Sequence, residues 1–88
     1  MQVMTIREVE LLVEGGAKVS DVKLVRIRHK GKTCYQIEFT LNARGSNKKS
    51  LLITTRNEPH RWVDLNRAVT FVGELFPDND EIRIISKA

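Results

Sequence analysis

The chain has 88 residues, 41% of them hydrophobic and 30% charged, and 15 Lys and Arg against 11 Asp and Glu give it a net charge of +4. That is enough apolar material for one small core, too little for two, and too much for a disordered tail. The longest apolar runs are three residues, as at Leu51 to Ile53, far short of the roughly 20 needed for a helix to cross a bilayer.

Met1 to Arg7 lacks the basic, apolar and small-residue regions of a secretory signal, and the single cysteine, Cys34, has no internal disulfide partner. Both features lead us to expect a cytoplasmic protein whose core holds without covalent help.

Thr5 and Glu8 have the spacing of a capping box, which predicts a helix starting at Ile6. Ile6, Val9, Leu12 and Val13 share one face of it, and Gly15-Gly16 supplies the stop. From Ala17 the period changes to two. Val22 and Leu24 are out of phase with Val25 and Ile27, which predicts a bulge or a change of face nearby. After a turn at Lys30-Gly31-Lys32, Tyr35, Ile37, Phe39 and Leu41 alternate with Cys34, Gln36, Glu38 and Thr40 as a clear strand. Asn42 to Lys49 reads as a hairpin with Gly45, Ser46 and Asn47 at its tip, and Leu51, Ile53 and Thr55 resume the alternation. Pro59 breaks this third strand. Asp64 is placed to cap a second helix whose stripe is Leu65, Ala68, Val69, Val72, Leu75 and Phe76, and Pro77 ends it. Ile82 and Ile84 mark a last short strand.

The expected fold is therefore α+β in one domain over residues 1–88. A three-stranded antiparallel meander plus a short C-terminal strand is packed on one face by two helices, in the order α-β-β-β-α-β.

Charge is segregated along the chain. Residues 18–67 hold 12 Lys or Arg and 4 acids, while residues 1–17 and 68–88 are each net acidic. If Val25, Ile27, Leu51 and Ile53 point inward with Tyr35, Ile37 and Phe39, alternation sends Arg26, Arg28, Lys30 and Arg56 outward on one shared face. Lys32, Arg44, Lys48 and Lys49 would then surround it from the hairpin ends. Such residues contact phosphate, and Gln36, Thr40, Ser50 and Thr54 on the same face would reach base edges. A polar cationic sheet face also protects an antiparallel sheet from edge-to-edge aggregation, and Glu38 sits in the middle of this one. With Tyr35 and Phe39 on the core phase, no aromatic stacking ladder is expected, so duplex is favoured over single strand.

The meander followed by a helix, Val22 to Phe76, resembles the AP2-like and integrase arm-type DNA-binding domains, with Val63-Asp64-Leu65-Asn66-Arg67-Ala68 in place of their helix entry. The resemblance implies a sheet laid against a nucleic-acid groove. The element order is also similar to that of a double-stranded-RNA-binding domain, but here Lys48-Lys49 precedes the third strand instead of opening the second helix. Thr55 to Val69 is similar to a strand, basic turn and helix entry of small accessory proteins of plasmids and integrative elements, which implies a bacterial mobile-element context.

Catalytic and metal chemistry find little material. His29, His60 and Cys34 fit no zinc spacing. His60, Asp64 and Glu58 read as a polar loop plus helix cap rather than an acid–base pair, and Cys34 and His29 fall on opposite predicted phases, leaving Cys34 a spare surface thiol. Trp62 is expected to pack over the core end with part of its ring exposed. The expectation is a small non-enzymatic nucleic-acid-binding accessory protein without cofactor or metal. The alternative is a protein-interaction or homodimerisation module using an exposed strand edge or a Leu52 and Ile85 patch.

Overall fold

The computed structural model describes residues 1–87. Its elements are β1 (Gln2–Thr5), α1 (Ile6–Glu14), β2 (Lys18–His29), β3 (Lys32–Ala43), β4 (Ser46–Ile53), β5 (Arg61–Trp62), α2 (Leu65–Leu75) and β6 (Arg83–Ser86). The α+β class and the meander β2-β3-β4 are as expected, but the sheet is larger and mixed. Its order is β1-β4-β3-β2-β6, with β5 also paired to β3. β1 runs parallel to β4 and β6 parallel to β2. Neither β1 nor β5 is visible in the sequence, because a four-residue and a two-residue strand carry almost no periodic signal.

Local chemistry sets the helix ends. The Thr5 hydroxyl accepts from the Glu8 amide at 3.2 Å while the Glu8 carboxylate accepts from the Thr5 amide at 2.9 Å, a complete capping box. The Asp64 carboxylate accepts from the Asn66 and Arg67 amides at 2.8 and 3.2 Å, so the N-terminus of α2 already holds an anion. Both long hairpins close through two left-handed residues, Lys30-Gly31 (φ 52° and 76°) and Arg44-Gly45 (φ 51° and 77°), the turn geometry that matches strand twist. The second tip is thus Arg44-Gly45, and Ser46 and Asn47 already belong to β4.

One face of the sheet and both helices enclose the core. Met4, Val9, Leu24, Ile37, Phe39, Leu41, Leu52, Ala68, Val72 and Phe76 are buried together, with Phe76 against Phe39 at a ring separation of 5.2 Å. Val9 is the one fully enclosed residue of α1, whereas Leu12 and Val13 stay 40% and 42% exposed.

Two strands take the opposite phase from the expected one. In β2, Val19 lies opposite Leu41 on the helix side, but the register slips between Ser20 and Lys23, where Asp21 adopts φ 52°. The extra residue exchanges the two faces. Beyond it Val22 and Leu24 enter the core, and Leu24 pairs with Ile37. Val25 and Ile27 pair with Gln36 and Cys34 on the far face. In β4, Ser50 pairs with Phe39 and Leu51 with Glu38, so Ser50 and Leu52 point toward the helices while Leu51 and Ile53 point away. Ser50 is fully buried there because Gln2 Nε2 donates to its hydroxyl at 2.7 Å and that hydroxyl donates to the Lys48 carbonyl at 3.2 Å.

Candidate nucleic-acid interface

These phase changes redistribute the basic residues. Arg26 pairs with Tyr35 and Arg28 with Thr33, so both arginines leave the helix side of the sheet instead of the far side. Both remain exposed. Lys30 and Lys32 stand at the tip of the same hairpin, and Arg56 lies in the turn after β4, where the Thr54 hydroxyl accepts from the Arg56 amide at 3.3 Å. Arg44, Lys48 and Lys49 belong to the other hairpin, at the opposite end of β3. Eleven steps along that strand separate the two tips by roughly 35 Å. Lys48 shares the helix-side face with Leu41, while Lys49 shares the far face with Thr40.

The single cationic platform expected from alternation is therefore not formed. The eight residues divide into one group of Arg26, Arg28, Lys30, Lys32 and Arg56 and another of Arg44, Lys48 and Lys49. Of the polar residues expected among them, Gln36 and Thr40 do face away from the helices, Ser50 is sealed in the core, and Thr54 serves its own turn.

The far face is mixed rather than basic. Val25, Cys34 and Ile53 are almost fully buried on it. Lys87 reaches across β2 to Glu38 at 3.4 Å, which partners the carboxylate that stood isolated in the sequence. Lys23 lies 3.1 Å from Asp21, and Arg83 bonds the same carboxylate. The Lys23 hydrogen bond, followed by Arg83, holds Asp21 below the usual carboxylate value. Among the described residues these pairs engage only Lys23, Arg83 and Lys87, so Arg26, Arg28, Lys30 and Lys32 have no carboxylate partner. Arg61, opposite Gln36, has its Nε enclosed without a hydrogen-bond partner among the described residues.

Cys34 is 4% exposed and so is no surface thiol. Because Ile27 pairs with Cys34, His29 shares its face, against the expected opposite phases, but lies two residues further along β2. Leu52 is fully buried while Ile85 pairs with Val25 on the far face, so the patch imagined between them does not exist. Among the described residues no group of three or more His, Cys, Asp or Glu is placed to hold a metal and no helix is long and apolar enough to cross a membrane.

Sequence reasoning missed an aromatic cluster at the basic end. β5 carries Trp62 to a position opposite Tyr35, in the same row as Arg26. His60 stacks on Trp62 at 4.4 Å, and Phe71 of α2 completes the group at 4.8 Å from Trp62 and 6.0 Å from His60. All four rings are half-buried, and burial lowers the pKa of His60. The signal was present in the spacing of His60, Trp62 and Phe71, but only the pairing of β5 with β3 brings these rings beside the Arg26 hairpin. No family model, curated protein or solved structure matches this chain, and its functional reading rests on this geometry.

Proposed function

We propose that this protein binds nucleic acid through the end of the sheet formed by the β2–β3 hairpin, with Arg26, Arg28, Lys30 and Lys32 as its phosphate contacts and Arg56 at the flank. One observation carries the reading. Over the seven residues from Arg26 to Lys32 there are four exposed cations and no acid, and among the described residues none of the four is paired with a carboxylate. Unpaired cations concentrated on a protruding hairpin give a local positive potential and release counterions when they meet a phosphate backbone. Arg44, Lys48 and Lys49 form a separate basic end, which extends the attraction but cannot share the first contact.

Fluorescence anisotropy with labelled oligonucleotides tests the reading. Four neutralised phosphates predict a slope of log K against log salt of about −3 to −4, so raising salt from about 50 to 200 mM weakens binding about 50- to 150-fold. Reversing both charges, Arg26→Glu with Arg28→Glu, abolishes binding, whereas Lys48→Glu with Lys49→Glu weakens it only mildly. Undetectable binding at low salt, or binding indifferent to the first pair, refutes the assignment.

A further inference from the structure

Resting on that reading and deepening it, we infer that the nucleic acid is single-stranded and that an unpaired base docks in a shallow groove beside α2, against the wall formed by Trp62 and Phe71. The groove has a volume of about 360 Å³ and is lined by Trp62, Asn66, Arg67, Thr70, Phe71 and Glu74. It combines an aromatic wall with a polar rim. Trp62 and Phe71 stand 4.8 Å apart at 36°, and His60 backs the indole at 4.4 Å and 12°. The indole is thereby held in place before any ligand arrives, which reduces the ordering cost of stacking.

The rim residues Asn66, Arg67, Thr70 and Glu74 are exposed. Asp64 bonds the Asn66 and Arg67 backbone amides, not their side chains, and the ion pairs among the described residues do not include Arg67 or Glu74. An amide, a guanidinium, a hydroxyl and a carboxylate left unengaged around an aromatic wall match a planar ring bearing both donors and acceptors on its edge. Glu74 favours bases with an exocyclic amine, which donates to a carboxylate, over thymine and uracil.

Position selects a strand over a free nucleotide. Trp62 pairs with Tyr35, which lies two residues along β3 from Thr33, the partner of Arg28. A backbone that meets the basic hairpin thus passes within a few nucleotides of the groove. A base held inside a duplex exposes no ring face to an indole, whereas an unpaired base does.

Trp62 is the only tryptophan, so its fluorescence reports the groove directly. The intact chain is titrated at low salt with 12-nucleotide oligo(dC) and oligo(dT), a 12-base-pair mixed duplex, and cytidine monophosphate, reading anisotropy and Trp62 emission together. The expected result is that oligo(dC) quenches Trp62 and binds about tenfold more tightly than the duplex. Oligo(dT) should bind more weakly than oligo(dC), and the mononucleotide should leave emission unchanged at matched concentration. Arg67→Ala and Glu74→Ala, both on exposed positions, should lower the affinity for oligo(dC) more than that for the duplex and so reduce the preference for oligo(dC). Equal affinity for strand and duplex with unquenched Trp62 overturns the groove assignment and leaves the basic hairpin as a plain phosphate binder. Quenching by the mononucleotide alone overturns the strand assignment. Absence of binding to every oligonucleotide instead refutes the parent reading.

Discussion

The phase of β4 makes a sharp prediction, because Leu51 and Leu52 are adjacent and chemically identical yet lie on opposite faces. Leu52 is fully enclosed, packed with Met4, Ile37 and the helices, whereas Leu51 is half-buried on the far face opposite Glu38. Truncating a sealed leucine removes its burial and leaves a cavity, which costs about 3 kcal/mol. Losing half the burial of Leu51 costs about 1 kcal/mol. In a domain of this size each kcal/mol moves Tm by about 4–8 °C. Leu52→Ala should therefore lower Tm by about 12–24 °C and Leu51→Ala by about 4–8 °C. Ser50→Ala sharpens the test, since it removes the acceptor for the Gln2 amide and should cost about 1 kcal/mol despite changing a single oxygen. Thermal melts followed by circular dichroism, with urea unfolding followed by Trp62 fluorescence, measure all three. A larger loss for Leu51→Ala than for Leu52→Ala, or a neutral Ser50→Ala, would refute the β3–β4 register and with it the faces assigned to Lys48 and Lys49.

Further expectations concern single groups. Burial lowers the His60 pKa below the ordinary 6.5, so the unfolded chain takes up this proton first as pH falls. Stability is complete above about 6.5 and declines as pH drops toward the folded value, and Trp62 emission, quenched by the stacked imidazolium, should titrate with a midpoint below 6.5. A midpoint at or above 6.5 contradicts the buried stack. Asp21 is held below the usual carboxylate range by Lys23 and Arg83, so its contribution is present above the ordinary carboxylate pKa and lost as pH falls through the depressed one. In Arg83→Gln the Asp21 carboxyl resonance should titrate closer to the ordinary value, and an unchanged midpoint would deny the pairing. Gly31 has φ 76°, and Gly31→Ala should destabilise by about 1 kcal/mol through strain alone, because a Cβ there meets nothing within 4 Å. A neutral effect in a urea titration would exclude the two-residue turn.

The functional surface was less legible than the fold, and particular residues show why. Continuing the parity of Val19 through β2 places Val25 and Ile27 inward and Arg26 and Arg28 outward, as the sequence suggests. A single bulge at Asp21 reverses that for every later residue of the strand. Val22 and Leu24 gave notice of it, but adjacent Leu24 and Val25 satisfy either phase. Leu51-Leu52-Ile53 has the same ambiguity, and a serine in the core becomes acceptable only once Gln2 of β1 arrives to bond it. The aromatic cluster escaped detection because Tyr35 reads as a core residue, which it partly is, and because β5 is two residues long.

What the sequence determined by itself was everything encoded within a few residues of the chain. The Thr5–Glu8 capping box, the Asp64 cap, the glycine turns and the Pro77 stop act through local hydrogen bonds and allowed dihedrals, and the alternation of β3 reports one covered face, whereas β4 ends at Ile53, well before Pro59, which instead bridges back to Ile53. Tertiary structure alone decided the parallel edge strands, the faces of β2 and β4, and the separation of the basic residues onto two ends. Those depend on which distant strand supplies the partner, and a bulge or a neighbouring strand changes that choice at a cost too small to leave a mark on composition or period.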